Sequence, residues 1–374
     1  MVVVLRRFPA RARALAGRLA LSVIFLLLPV PAGAAQMTTF DVSDRAIVSL
    51  EARQADIQIK TWDRSTVQVE SDDDFAAEKG IYPGIPDVPV VQAQLHFGET
   101  TLILPPEDFP VLTVPRAMHD LVKIGTPQSA GTITVTIPAS TAFIIVRAGG
   151  GRIRMNDYQN GTFFVQLRNG AIAMTNMGGD GFVQLLRGHL SVTDSNFSRL
   201  RARTAAANMV FENCRARQIE TSSIAGSIVY DNGGFDGTLA RFDSQDGNVA
   251  VGVSGSGQIG ARTGDGHIFT SFGRNVSIES RPNETNVALG GPASPAINAS
   301  STRGNVFLYD GSLANKNGLS EDWQPMRQLY INRRRDLTTH AGPRVQPRVQ
   351  PRAQPRPANP RRPPGALLRA IKIR

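Results

Sequence analysis

Four aspartates recur at nearly one offset in this chain. Asp157, Asp194 and Asp310 fall six positions after the first residue of a repeating unit, and Asp231 falls five after it. A column of this kind lines one edge of a stacked structure, and paired carboxylates at suitable separation permit glycoside hydrolysis. Turns also select Asp and Asn for backbone reasons, because the short side chain bonds nearby amides and tolerates a left-handed backbone. The column would fit a carbohydrate-active β-helix enzyme, a lyase or hydrolase, but corners that do no chemistry are the expected reading. The histidines add nothing specific. His96, His119, His189, His267 and His340 include no pair at metal-ligand spacing, and His189 and His267 each follow a lead glycine at an outward register. Cys214 is the one cysteine, so no internal disulfide can form, and a half-buried structural thiol is expected. No catalytic set, metal site or cofactor is expected.

The second chemical feature is a basic tail. Pro343-Arg344-Val345-Gln346, Pro347-Arg348-Val349-Gln350 and Pro351-Arg352-Ala353-Gln354 are tandem tetrapeptides, followed by Pro355-Arg356 and by Arg361-Arg362. Proline at every fourth position blocks both helix and ladder, so residues 342–374 are expected to be disordered or extended. Arg344, Arg348, Arg352, Arg356, Arg361 and Arg362 are candidate contacts for anionic surfaces: envelope glycans, lipopolysaccharide or lipid headgroups. No aromatic is interleaved for base stacking, so specific nucleic-acid recognition is not expected. A solubilising spacer is the alternative.

These residues need a scaffold, and the sequence supplies one. A lead residue followed by apolar residues two and four positions on recurs from Gly131 to Leu308, at Gly131, Gly151, Gly170, Gly188, Ala207, Gly226, Gly247, Gly266, Thr285 and Gly304. The intervals are 20, 19, 18, 19, 19, 21, 19, 19 and 19 residues. A fixed period of this length marks a solenoid. A second apolar column, from Phe143 and Val165 to Ile278 and Ile297, follows each lead by 12 to 14 residues. Each repeat thus carries two short period-2 stretches whose apolar residues face inward. Glycine suits the corner before each strand, where a Cβ would meet the coil above. Asn208, Asn248, Asn286 and Asn305, each one position after a lead, can form a corner ladder or simply tolerate the turn. The expected fold is all-β, a single-stranded β-solenoid of about ten 19-residue coils with a disordered Pro-rich tail.

Arg6, Arg7, Arg11, Arg13 and Arg18 precede the apolar run Leu19–Val30, and Ala32-Gly33-Ala34 offers small residues for cleavage. Residues 1–35 read as a secretory signal peptide, with an uncleaved anchor as the alternative. No other apolar run reaches the ~18 residues that span a bilayer. The formal charge of +10 is divided unevenly. Residues 36–326 hold 23 basic and 30 acidic side chains, a balance of −7, whereas residues 327–374 hold 13 basic and one acidic. The expected organisation is a signal peptide (1–35), N-terminal strands with a first coil and an insertion or cap (36–130), solenoid repeats (131–316), a C-terminal cap or linker (317–341) and the tail (342–374). Ala55-Asp56-Ile57-Gln58-Ile59 with Val67-Gln68-Val69 reads as an early coil preceding the uninterrupted array. Thr101–Leu104 reads as a strand, and residues 116–122 as a short helix.

The stretch Ile133-Thr-Val-Thr-Ile137-Pro138, then Val146-Arg-Ala-Gly-Gly-Gly151-Arg-Ile153-Arg-Met155, resembles the bacterial putative-adhesin family of β-strand-repeat proteins, a domain of unknown function. Trp62-Asp63 after Ile57-Gln58-Ile59 matches the family's opening segment, and the resemblance spans about residues 40–310. It implies an exported or envelope-associated β-solenoid and carries no catalytic motif. The expected function is therefore an exported non-catalytic β-solenoid, in the periplasm, at the cell surface or outside the cell, with a structural, adhesive or envelope-binding role. A carbohydrate-active enzyme, or a protein anchored through its basic tail, is the alternative.

Overall fold

A computed structural model describes residues 36–82, 119–255, 257–272, 276–289 and 296–338. The strands are β1 (Gln36–Asp41), β2 (Ile47–Trp62), β3 (Thr66–Ser71), β4 (Ala76–Tyr82), β5 (His119–Pro138), β6 (Phe143–Asn156), β7 (Thr162–Thr175), β8 (Gly178–Thr193) and β9 (Asn196–Glu212). They continue as β10 (Arg215–Ser223), β11 (Ile228–Ser244), β12 (Val249–Val253), β13 (Gly257–Thr263), β14 (Ile268–Ser271), β15 (Ser277–Arg281), β16 (Glu284–Leu289), β17 (Ala296–Ser301) and β18 (Val306–Asp310). One hydrogen-bonded network joins them, and the fold is an all-β solenoid.

The long strands are pairs of arms bent at the lead residue. In β6, residues 143–148 form one arm, the chain turns at Gly149–Gly151, and residues 151–156 form the next. Each arm alternates inward and outward side chains. The inward residues stack on their counterparts in neighbouring coils through parallel, in-register ladders, ~4.8 Å apart. One column runs Ile133, Ile57, Ile153, Ile172, Leu190, Met209, Ile228, Val249, Val306, Ile268 by register. The first nine of these are 0–1% exposed, so the column is the core. Each coil alone buries only a few side chains, and stability comes from neighbour on neighbour.

The order of that column corrects the expected array. Coils do not stack in chain order at either end. The Ala55 coil does not stand before the Gly131 coil: β2 lies between β5 and β6, with Ile57 opposite Ile133 on one side and Ile153 on the other. At the other end β17 and β18 lie between the β11–β12 coil and the β13–β14 coil. An apolar column accepts any coil that presents matching inward residues, so periodicity cannot specify which coils are neighbours.

Three further expectations change. Val67 and Val69 are buried, but β3 runs antiparallel to β1 and β5 and is not the second arm of a coil. Thr285–Leu289 lies in β16, antiparallel to β13 and β15, and Ile278 on β15 is 46% exposed instead of facing inward. Residues 119–122 open β5 and are not helical. Thr101–Leu104 and the tail lie outside the described residues.

The chain divides into a unit ending at Leu319, which holds the coils and a 3-10 turn at Leu313–Asn315, and a second unit starting at Ser320. In the second unit a 3-10 turn at Glu321–Trp323 leads into α1 (Gln324–Thr338). Trp323, Met326 and Tyr330 are buried there, at helical spacings of three and four. Among the described residues no helix is long and apolar enough to cross a membrane.

Candidate functional site

The aspartate column was the strongest catalytic candidate in the sequence. Asp157 and Asp194 occupy left-handed corners, with φ of 63° and 50°, and Asn176, Asn213 and Asn232 occupy the equivalent corners at 54°, 54° and 50°. Asn and Asp are the non-glycine residues that adopt this conformation most readily. Their side chains bond from coil to coil. Asn176 donates to Asp157 Oδ1 at 2.7 Å, Asn213 to Asp194 Oδ1 at 3.0 Å, and Asn232 to Asn213 Oδ1 at 2.7 Å. These carboxylates are acceptors in a corner ladder.

Asp231 and Asp310 are engaged differently. Asp231 is fully buried. Its carboxylate accepts from the Tyr309 hydroxyl at 2.8 Å, the Ser312 hydroxyl at 2.7 Å and the Leu313 backbone N–H at 2.7 Å. Burial pushes its pKa above the ordinary carboxylate range, against those three donors. Asp231 thus pins the out-of-order β18 coil. Gly252, the register partner of Tyr309, leaves room for its ring: a Cβ there would lie 2.1 Å from it. Asp310 pairs with Lys316.

The other sequence candidates stay apart. His189 lies beside Ala171 and Asn208 in register. His267 donates its backbone N–H to Asn305 Oδ1 at 2.9 Å. That bond ends a ladder one position after the leads: Asn208 Oδ1 accepts from Ser227 N–H, Ser227 Oγ from Asn248 N–H, and Asn248 Oδ1 from Asn305 N–H. Of the two readings left open for these asparagines, the ladder exists, with Ser227 as a member and Asn286, on antiparallel β16, outside it. Cys214 is buried and donates its thiol towards the Val192 and Glu212 carbonyls. Among the described residues no three His, Cys, Asp or Glu side chains gather to hold a metal ion. Arg344, Arg348, Arg352, Arg356, Arg361 and Arg362 lie outside the described residues.

The outward face of the arms 143–148, 162–167, 180–185, 199–204, 218–223 and 239–244 offers a site that the sequence reading missed. It changes character along the stack. Ile47, Phe143, Phe164 and Phe182 form a small buried apolar cluster apart from the core, with the Phe164 and Phe182 rings stacked at 5.3 Å; Phe143, expected in the inward column, faces outward here, and Ile144 and Val146 take the inward positions. The next residues in the same row as Phe182 are Arg201, Glu220 and Arg241. In the adjacent row Gln184 gives way to Arg203, Ser222 and Asp243. These two rows line a groove of about 240 Å³. Arg201 donates to both Glu220 oxygens at 3.1 Å, and Arg241 pairs with Asp243. Burial pushes Glu220 up, but hydrogen bonds from Arg201 and Gln218 and the charges of Arg201 and Arg203 outweigh it and hold its pKa low. The Arg241 side chain is 62% exposed. The available signal was Arg199-Leu200-Arg201-Ala202-Arg203, a period-2 stretch with arginine at every outward position.

A second groove, of about 660 Å³, crosses the coils at a corner between Arg45 and Asp180, with Ser140, Asn160, Thr162 and Ser198 along it. Strand β9 contributes Ser198 to this groove and Arg201 and Arg203 to the other.

No curated protein matches the chain. A crystal structure of a putative cell adhesion protein from Clostridium sporogenes is similar over 74% of this chain and 100% of that chain, at 8% identity and a TM-score of 0.24. That score is too low for the likeness to bear on function. The Toastrack DUF4097 profile matches residues 115–309, from the start of β5 to the end of the out-of-order β18 coil. The match covers the solenoid strands from β5 to β18 but not the β2 coil intercalated between β5 and β6, and the chain belongs to the Toastrack DUF4097 family.

Proposed function

We propose that this chain is an exported, non-catalytic β-solenoid that serves a structural, adhesive or envelope-binding role. The observation that carries this reading is the fate of the aspartate column. Asp157 and Asp194 accept side-chain hydrogen bonds within a corner ladder, Asp231 is buried beneath Tyr309 and Ser312, and Asp310 pairs with Lys316. Glycoside hydrolysis needs two carboxyl groups that flank a substrate bond, and carboxylates committed in these ways do not offer that pair. Residues 1–35, read as a signal peptide, direct the chain out of the cytoplasm. The arginines of 342–374 add a contact to anionic lipid or lipopolysaccharide.

Fractionation of the source cells, with N-terminal sequencing of the mature protein, tests the export reading. The expected result is protein in the envelope or medium that begins near Ala35. Protein confined to the cytoplasm, or turnover of any member of a polysaccharide panel by the pure protein, would overturn the proposal.

A further inference from the structure

We infer that the arginine groove on β9, β10 and β11 binds the anionic groups of an acidic polysaccharide. The inference rests on the envelope-binding reading and gives it a site and a ligand class. Three observations carry it. First, β9 points Arg199, Arg201 and Arg203 outward at alternate positions, while Leu200 and Ala202 between them and Thr204 after them are buried. At ~3.4 Å per residue these three span roughly 14 Å along the strand, and Arg241 stands two strands away, roughly 10 Å across the stack. Four guanidinium groups over such an area suit a chain of spaced anions better than a single ion. Second, three of them, Arg201, Arg203 and Arg241, line the groove with two carboxylates, Glu220 and Asp243, so it keeps a positive excess in a body that is otherwise acidic, while Arg199 stands beside Asp180 in register. Third, Glu220 holds Arg201 through Nη2 and Asp243 holds Arg241 through Nε, so both guanidinium planes are oriented, and the remaining N–H groups of a guanidinium held in this way can bond a carboxylate or sulfate oxygen.

The neighbouring chemistry separates a glycan from a nucleic acid. The rings that continue the Arg201 row, Phe164 and Phe182, are buried, at 6% and 0% exposure. They offer no free face on which a base could stack. Ser222, between Arg203 and Asp243 in register, adds a hydroxyl of the kind that bonds sugars.

The test uses the full chain and four probes: polygalacturonate, dextran sulfate, uncharged dextran and single-stranded DNA. Two groove variants, Arg203→Gln with Arg241→Gln, and Ser222→Glu, alter outward positions only, and their melting profiles are compared with wild type. A third variant replaces Arg344, Arg348, Arg352, Arg356, Arg361 and Arg362 by Gln. Wild type is expected to bind one or both acidic polysaccharides, more weakly at ~300 mM than at ~30 mM salt, and not dextran. The double arginine variant should lose about a hundredfold in affinity, roughly two charge-assisted contacts, and Ser222→Glu about tenfold, while the tail variant keeps it. The two anionic probes separate carboxylate from sulfate recognition. Groove variants that bind like wild type, loss only in the tail variant, no binding of either acidic polysaccharide, or equal binding of DNA with the same variant sensitivity would each overturn the inference. The location of the wild-type protein in cell fractions is read independently, so a failed envelope reading and a failed groove are distinguishable.

Discussion

The coils of this solenoid turn the same corner in two ways. Between β6 and β8 the lead glycines Gly151, Gly170 and Gly188 have φ of 108°, 141° and 131°, and the inward residues three positions before them are Ala148, Leu167 and Leu185. From β9 onward that inward position holds Thr204, Ser223, Ser244, Ser301 and Thr263, stacked in register. There each hydroxyl works in the corner. Ser244 Oγ donates to the Gly226 carbonyl at 2.8 Å and accepts from Gly247 N–H at 2.9 Å. Ser301 does the same for Gly247 and Gly304, and Thr263 for Gly304 and Gly266. The first set of corners relies on a backbone conformation that only glycine adopts cheaply. The second satisfies the corner's amides with buried hydroxyls and leaves the glycine φ unremarkable. A repeat that looks uniform in its apolar columns is therefore held by conformational strain avoidance at one end and by hydrogen bonding at the other.

The largest break in this contrast should come at Gly170. A Cβ there would lie 1.8 Å from the Gly151 carbonyl oxygen, and the φ of 141° is itself strained for an L side chain. Gly170→Ala is expected to destabilise by about 4 kcal/mol, since a backbone atom must move and no flexible side chain can give way. A urea midpoint equal to wild type would contradict it. Next comes Leu167→Ala, which empties part of the apolar column beside the same corners and is expected to remove about 3 kcal/mol. In the other set, Ser244→Ala strips the partner from the Gly226 carbonyl and the Gly247 amide, both inside the stack. The expected loss is about 2 kcal/mol, with faster hydrogen exchange at Gly247. Ser244→Ala that is as costly as Gly170→Ala would erase the distinction between the two corner types.

Much of this was legible in the sequence, and the rest was lost for physical reasons. The period, the inward columns and the Asn208–Asn248–Asn305 ladder follow from residues whose roles are local, because a turn or an alternation is written within a few positions. The hydroxyls of Ser244 and Ser301 were equally visible as Ser-x-x-Gly, but an apolar template passes over a polar residue that faces inward. Stack order was not legible at all. Ile57 fits between Ile133 and Ile153 as well as it would fit outside them, so the intercalation of β2, and of β18 at the other end, is decided by segments such as β3 and β16 that break the period. The aspartates were found by offset, yet their roles depended on partners in other coils: Asn176 for Asp157, and Tyr309 for Asp231. The arginine face went unnoticed because its regularity lies across coils as much as along the chain.

The two out-of-order coils sharpen the comparison once more. The inserted β2 coil packs with Leu50, Ile57 and Ile59, all apolar, whereas the inserted β18 coil is also pinned by the buried carboxylate of Asp231. Burial raises the pKa of Asp231 above its ordinary value of 3.8. A carboxyl that holds its proton more tightly folded than unfolded stabilises the fold in acid. That contribution is fully present below the ordinary value and is lost as pH rises through the elevated folded one. Asp231→Asn keeps an acceptor for Tyr309 and Leu313 and cannot titrate. The melting temperature of wild type relative to Asp231→Asn should therefore be highest at ~pH 3.5 and fall by a few degrees towards ~pH 7. Leu50→Val, on the β2 coil, should show no such trend relative to wild type. A wild-type advantage over Asp231→Asn that stays constant, or grows with pH, would mean that the three donors and not burial govern the carboxylate, and that the two inserted coils are held by the same balance of forces.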